Sequence, residues 1–172
     1  MTLDALTAAV AAYFRGERHE MYAILAGSLG LVLVAAALHV AGRDGFSRAF
    51  GIASLVVALA LSSTAISLLR RDPPHQARLV ASLAGPDARA AIAGEAARMD
   101  AVIGKYPIYR YAAVGLALAA LLAAAIRRTG GVAGAAAGVL LLAVAQLAID
   151  HYSEARATRY AAELRASPSA RP

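Results

Sequence analysis

The sequence predicts an all-α integral membrane protein: a four-helix transmembrane bundle of up-down-up-down topology, with an N-terminal interfacial helix and a cytoplasmic amphipathic helical hairpin between spans 2 and 3. Three observations carry that expectation. Hydrophobic residues make up 60% of the 172 positions, more than an average soluble domain holds, and they are gathered into blocks. Blocks at 21–41, 49–69, 108–126 and 131–149 are each long enough to cross a hydrocarbon core of about 30 Å. The links at 42–48 and 127–130 are short and glycine-bearing, which makes spans 1 and 2, and spans 3 and 4, antiparallel neighbours. All 172 residues read as a single membrane domain.

Taken in order, Leu3, Leu6, Val10 and Phe14 recur at three- and four-residue spacing, the stripe of a short helix expected to lie in the membrane surface over residues 1–16. Gly16 separates it from span 1. That span is too long for a signal-peptide core and follows Arg15, Glu17, Arg18, His19 and Glu20, so it is expected to remain in the mature protein. Within it Gly27 and Gly30 form a small-residue face for helix packing. Span 2 ends in Ser62, Ser63, Thr64 and Ser67, hydroxyls expected to bond back to their own carbonyls or across to a neighbouring helix.

Residues 72–105 form the largest segment outside the spans. Asp72 before Pro73 and Pro74 signals a helix start, Gly85 a stop, Pro86 and Asp87 a second start, and Gly104 to Pro107 a second stop. The second of these helices sets Ile92, Ala96, Met99 and Ile103 on a stripe opposite Arg89, Glu95 and Arg98, and is expected to lie on the membrane or cap the bundle. Span 3 is entered through Arg110, which can snorkel to the interface. Span 4 carries Gly130, Gly134 and Gly138, one helix ridge without side chains, along which another backbone can approach closely. That ridge suits internal closure of the bundle, a homodimer or a partner membrane protein. The helix is expected to run on to about residue 165, with residues 167–172 frayed.

An even number of spans puts both termini and the 72–105 segment on one side. Of the 17 lysines and arginines only Arg43, Arg48, Arg127 and Arg128 lie on the turn side, a bias that predicts cytoplasmic termini in a bacterial inner membrane. The net charge of +6 therefore reads as a topology signal against the lipid bilayer, and no nucleic-acid-binding motif accompanies it. All 7 tyrosines fall on the terminal side, so Tyr106, Tyr109, Tyr111 and Tyr152 mark a face for binding a partner.

The start of span 1 and the end of span 4 lie at one depth, and both carry ionisable groups. Glu17, His19 and Glu20 are set against Asp150, His151 and Glu154, with three-residue spacings like those by which helical bundles present ligands to bridged metals. Oxygen and nitrogen donors without thiolate suit zinc, manganese or iron, and such a metal can activate water for hydrolysis. Asp72, His75, Glu95 and Asp100 join the candidates if the surface helices fold beneath the bundle. Against the metal stand Arg15, Arg18, Arg156 and Arg159, which make the same acids an ion-pair network. The absence of cysteine excludes thiolate sites and disulfides, and no HExxH, GxSxG or phosphate-binding loop is present.

The function expected on these grounds is that of a small non-enzymatic inner-membrane protein acting through its cytoplasmic face, as an accessory, regulatory or immunity-type binding protein. Two alternatives stand beside it. One is a membrane-embedded metalloprotein, such as a metal-dependent hydrolase, with its site between spans 1 and 4. The other is a protein that binds lipid or a small ligand between its helices.

Overall fold

The computed structural model describes residues 2–167. They form five helices, α1 Leu3–Ala41, α2 Gly45–Leu83, α3 Ala88–Ile103, α4 Tyr106–Ile126 and α5 Gly130–Arg165, and no strand occurs among the described residues. Four helical stretches are long and apolar enough to cross a membrane, which makes this an integral membrane protein with an all-α four-helix bundle. At about 1.5 Å per residue, α1 and α2, of 39 residues each, run nearly twice the thickness of a hydrocarbon core. The surplus projects at one end of the bundle.

That projection is a second packed layer. The N-terminal part of α1, the C-terminal parts of α2 and α5, and α3 enclose Leu6, Val10, Phe14, Leu79, Leu83, Ile92, Met99 and Leu164, with Tyr13 and Tyr160 among them. We call it the polar end, from the charged residues around it. In the apolar half, α1, α2 and α5 continue and α4 takes the place of α3. α1 packs along α2, α2 along α5, and α4 chiefly along α5, so α4 is an edge helix.

Gly16 does not separate two helices; it lies inside α1. A Cβ there would meet the aliphatic stem of Arg156 at 2.7 Å, so the missing side chain admits an arginine from α5. The segment before it is not spread on a membrane surface, because Leu6, Val10 and Phe14 face the polar-end core. Asp72, Pro73 and Pro74 likewise begin no helix and lie within α2. The hairpin expected over 72–105 therefore exists with the end of α2 as its first arm and α3 as its second. Two adjacent prolines remove two ladder donors, and they do so where the apolar span has just ended.

The turns are capped by side chains. Asp44 accepts the Ser47 amide at 3.0 Å and the Ser47 hydroxyl at 2.7 Å to start α2, and Thr129 caps α5, each satisfying an orphan donor of the first turn. Ser63 and Thr64 donate to the carbonyls of Leu59 and Ala60, as expected of hydroxyls in a span.

Gly134 and Gly138 pack as the ridge predicts. A Cβ at Gly134 would lie 3.0 Å from the Phe50 nitrogen and nearer still to the Phe46 carbonyl, and one at Gly138 would collide with Ala53. Gly130 sits 3.2 Å by the same measure from the Phe46 nitrogen. The ridge therefore closes α5 onto α2. Gly27 and Gly30 meet nothing within 4 Å and pack no helix in this chain. Residue 1 of the expected interfacial helix and residues 168–172 of the expected frayed tail lie outside the described residues; Ser167 is buried.

Buried positions recur every seven residues: Phe14, Met21, Ser28 and Ala35 in α1; Gly51, Ala58, Ala65 and Leu79 in α2; Ala113 and Ala120 in α4; Ala136, Ala143, Asp150, Ala157 and Leu164 in α5. A seven-residue period is the seam of helices that wrap around one another left-handedly. It continues through both halves, interrupted in α2 at the half-buried Asp72, and places Asp150 on the inner face.

Candidate functional site

Where the apolar half meets the polar end, the two layers leave a cavity of about 290 Å³. Its apolar floor includes Ile24, Leu61 and Ile149, and its walls include Tyr13, Glu17, Arg71, Arg98, Tyr106 and Asp150. All five helices contribute to it.

Below it lies a buried ionic cluster. Glu95 is 3% exposed and receives Arg98 through two bonds, Nε to Oε2 at 2.8 Å and a terminal nitrogen to Oε1 at 2.7 Å. His75 Nε2 lies 3.0 Å from Oε2, and the Tyr160 hydroxyl donates to Oε1 at 3.3 Å. Burial alone would raise the Glu95 carboxyl; the bonds and charge of Arg98, helped by His75, outweigh it and hold the group below its ordinary value. Tyr13 stacks on Tyr160 with centroids 4.4 Å apart, and Phe14 meets the edges of Tyr13 and His75. Burial, with the carboxylate beside each ring, pushes the phenols of Tyr13 and Tyr160 upward.

On the cavity side, Glu17 accepts the Tyr13 hydroxyl at 2.9 Å. Burial first, and then the negative charge of Asp72, raise its carboxyl to about 7, against the lowering effect of Tyr13 and Arg156. Tyr106 is raised to about 12 by burial and by Glu17. Asp72 is also paired with Arg71 at 3.0 Å.

The six donors expected to form a metal site are not brought together. His19 and His151 are exposed, the latter against the Tyr152 ring. Glu20 is held by Arg156 and Ser153, and Glu154 by Arg110. Asp150 accepts the Gln146 amide at 2.7 Å. Helix geometry explains the scatter: at 100° per residue His19 stands about 200° from Glu17, on the opposite face of α1. Among the described residues no three of His, Asp and Glu are grouped so as to hold a metal ion.

Of the second group, Asp72 lies beside Glu17 without lining the cavity, and His75 and Glu95 form the buried cluster, while Asp100 pairs with Arg165 at the surface. Glu95 is not opposite the apolar stripe of α3. It lies within it, between Ile92 and Met99, and its charge concealed what its position three residues after Ile92 indicated. Of the tyrosines expected to form a binding face, Tyr109, Tyr111 and Tyr152 are exposed, and Tyr106 turns into the cavity.

The fold and the site together define an α-helical integral membrane protein with a water-side core and a polar cavity at the junction of its two layers. Comparison of the chain with family models, with curated proteins and with solved structures finds no match.

Proposed function

We propose that this is a non-enzymatic bacterial inner-membrane protein that acts through its cytoplasmic face as an accessory, regulatory or immunity-type binding protein. The observation that carries the reading is the polar-end core: its buried residues include Leu6, Val10, Tyr13, Met99, Tyr160 and Leu164. A simple membrane anchor has no need of such a structure, whereas a docking platform requires one. The exposed rings of Tyr109, Tyr111 and Tyr152 lie beside it, and tyrosine is enriched where proteins bind one another.

Sidedness is tested on the cysteine-free chain. With Gly94→Cys and Arg43→Cys made singly, a membrane-impermeant maleimide applied to intact cells is expected to label only the second. Function is tested by photocrosslinking groups placed in native membranes at Tyr111, Tyr152 and, on the turn side, Phe46. A discrete protein adduct from the first two sites and none from Phe46 supports the reading. Adducts with lipid alone, or from Phe46 alone, refute it.

A second reading, lipid binding between helices, is favoured by an apolar groove of about 570 Å³ between α1, α2 and α5. Gly27 lines it, with Glu20 and Arg156 at its polar edge. Because a Cβ at Gly27 meets nothing, Gly27→Trp fills the groove without moving a helix. It is expected to strip a co-purifying lipid, detected by mass spectrometry, if one is held there.

A further inference from the structure

Asp150 is the one carboxylate of the junction that the protein leaves half satisfied. It is 4% exposed, its Oδ1 accepts the Gln146 amide, and its Oδ2 is buried with no hydrogen-bond partner among the described residues. An orphaned acceptor of this kind is costly unless something donates to it. The arginines around it are already engaged: Arg98 by Glu95, Arg71 by Asp72, Arg156 by Glu20 and Arg110 by Glu154, and Lys105 also lines the cavity. An anion leaves Oδ2 of Asp150 unsatisfied, whereas a hydrogen-bond-donating cation completes it and breaks none of these pairs.

The cavity is shaped for an organic cation. Tyr13, Tyr106 and Tyr109 line it with Asp150, and aromatic faces attract ammonium groups strongly where water is excluded. It also continues into hydrocarbon. A second groove, of about 420 Å³, shares Thr64, Tyr109 and Gln146 with the cavity and runs between α2 and α4 along Leu116 and Leu142 of α4 and α5. α2 and α4 do not pack extensively against each other, so the groove is a way in from the side.

We propose that the junction cavity binds an amphiphilic amine, its ammonium received by Asp150 among the tyrosines and its apolar tail laid in the groove between α2 and α4. The proposal goes beyond the function proposed above and does not depend on it. A metal ion is the weaker occupant, since among the described residues no three of His, Asp and Glu are grouped so as to coordinate one.

The test is calorimetric titration of the full chain in phosphatidylcholine nanodiscs at neutral pH with phenylbutylamine, a soluble one-ring amine, against phenylbutanol, its uncharged counterpart. Saturable binding of one amine per chain is expected, at least about tenfold tighter than the alcohol, a difference of 1.4 kcal/mol. Asp150→Asn is expected to weaken the amine about tenfold or more and to leave the alcohol unchanged. Leu116→Trp, at a half-exposed position that narrows the groove, is expected to weaken both. It serves as the deciding variant if Asp150→Asn fails to fold, folding being read from helicity and Tm. Equal binding of amine and alcohol, binding indifferent to both substitutions, or no saturable binding, as when water alone completes Asp150, overturns the proposal. An amine-bearing lipid is distinguished from a soluble amine by replacing phosphatidylcholine with phosphatidylethanolamine. Loss of phenylbutylamine binding there, by competition, points to the lipid; unchanged binding points to a soluble ligand.

Discussion

The polar end and the apolar half are built from the same three long helices, yet their interiors differ in the size of the residues they bury. In the polar end most of the buried side chains are large, leucine, isoleucine, methionine, phenylalanine and tyrosine, with Val10, Ala157 and Ala161 among them. In the apolar half they are Ser28, Ala35, Ser54, Val57, Ala58, Ala65, Ala113, Ala120, Ala136 and Ala143, with Gly51, Gly134 and Gly138, while Leu29, Leu33, Leu59, Leu118 and Leu122 face outward. The solvent accounts for the reversal. Water drives large apolar surface inward at about 25 cal/mol per Å², whereas lipid has no such preference and leaves close approach of small residues as the source of adhesion. One seven-residue seam thus serves two solvents with two alphabets.

The comparison breaks most visibly at Glu95. Glu95→Ala leaves Arg98 and His75 without their buried anion and is expected to cost about 3–5 kcal/mol, read from denaturant unfolding followed by circular dichroism. Restoration of stability by a joint Glu95→Leu and Arg98→Met exchange would mark the cluster as a device of specificity. Next in size, Met99→Ala in the water-side core is expected to cost about 2–5 kcal/mol, while Leu118→Ala on the lipid face changes stability by about 0.5 kcal/mol or less. Similar losses at the two sites would show that burial drives both halves alike.

Small residues supply the reverse contrast. Gly138→Val, which collides with Ala53, is expected to cost about 1–3 kcal/mol, and Gly30→Val, in open space, to be nearly neutral in the same assay. The last contrast is that of pH at Glu17. Its folded carboxyl is raised from 4.5 to about 7, so the folded chain holds a proton that the unfolded chain has released between those values. That contribution to stability is full below about 4.5 and is lost as pH climbs through about 7. Tm of the wild type is expected to fall from pH 5 to pH 8 relative to Glu17→Gln; parallel profiles would show that Glu17 does not titrate there.

Much of this was legible in the residues. The four spans followed from apolar length, and the Gly134–Gly138 ridge from spacing, because both are local properties of one helix. The continuity of α1 through Gly16 and of α2 through Pro73 and Pro74 was not, since local break signals were overridden by packing at the polar end. The donors expected to hold a metal differ in their angles around the helices: His151 is one residue from the seam position Asp150 and His19 two from Met21, both exposed, whereas Asp150 and Glu95 are on inner faces. The seven-residue recurrence that would have separated them was present in the sequence, disguised by seam positions that change from alanine to aspartate to leucine. The tyrosine asymmetry marks the polar end of the molecule, but it does not distinguish the buried pair Tyr13 and Tyr160 from the exposed rings.

The stacking of Tyr13 on Tyr160 has a consequence for biosynthesis. α1 is made before α5 and supplies one wall of the polar-end core, and α5 supplies the facing wall. Leu6, Val10 and Tyr13 therefore stay partly uncovered until the fourth span has been threaded and Ala157, Tyr160 and Leu164 have followed it. A nascent chain stopped just before that point can have these four spans in place and still present an open apolar surface to water. The polar end thus closes only once the C-terminal part of α5 has been made, and a chain halted short of it stays recognisable to the chaperones and proteases that survey the membrane.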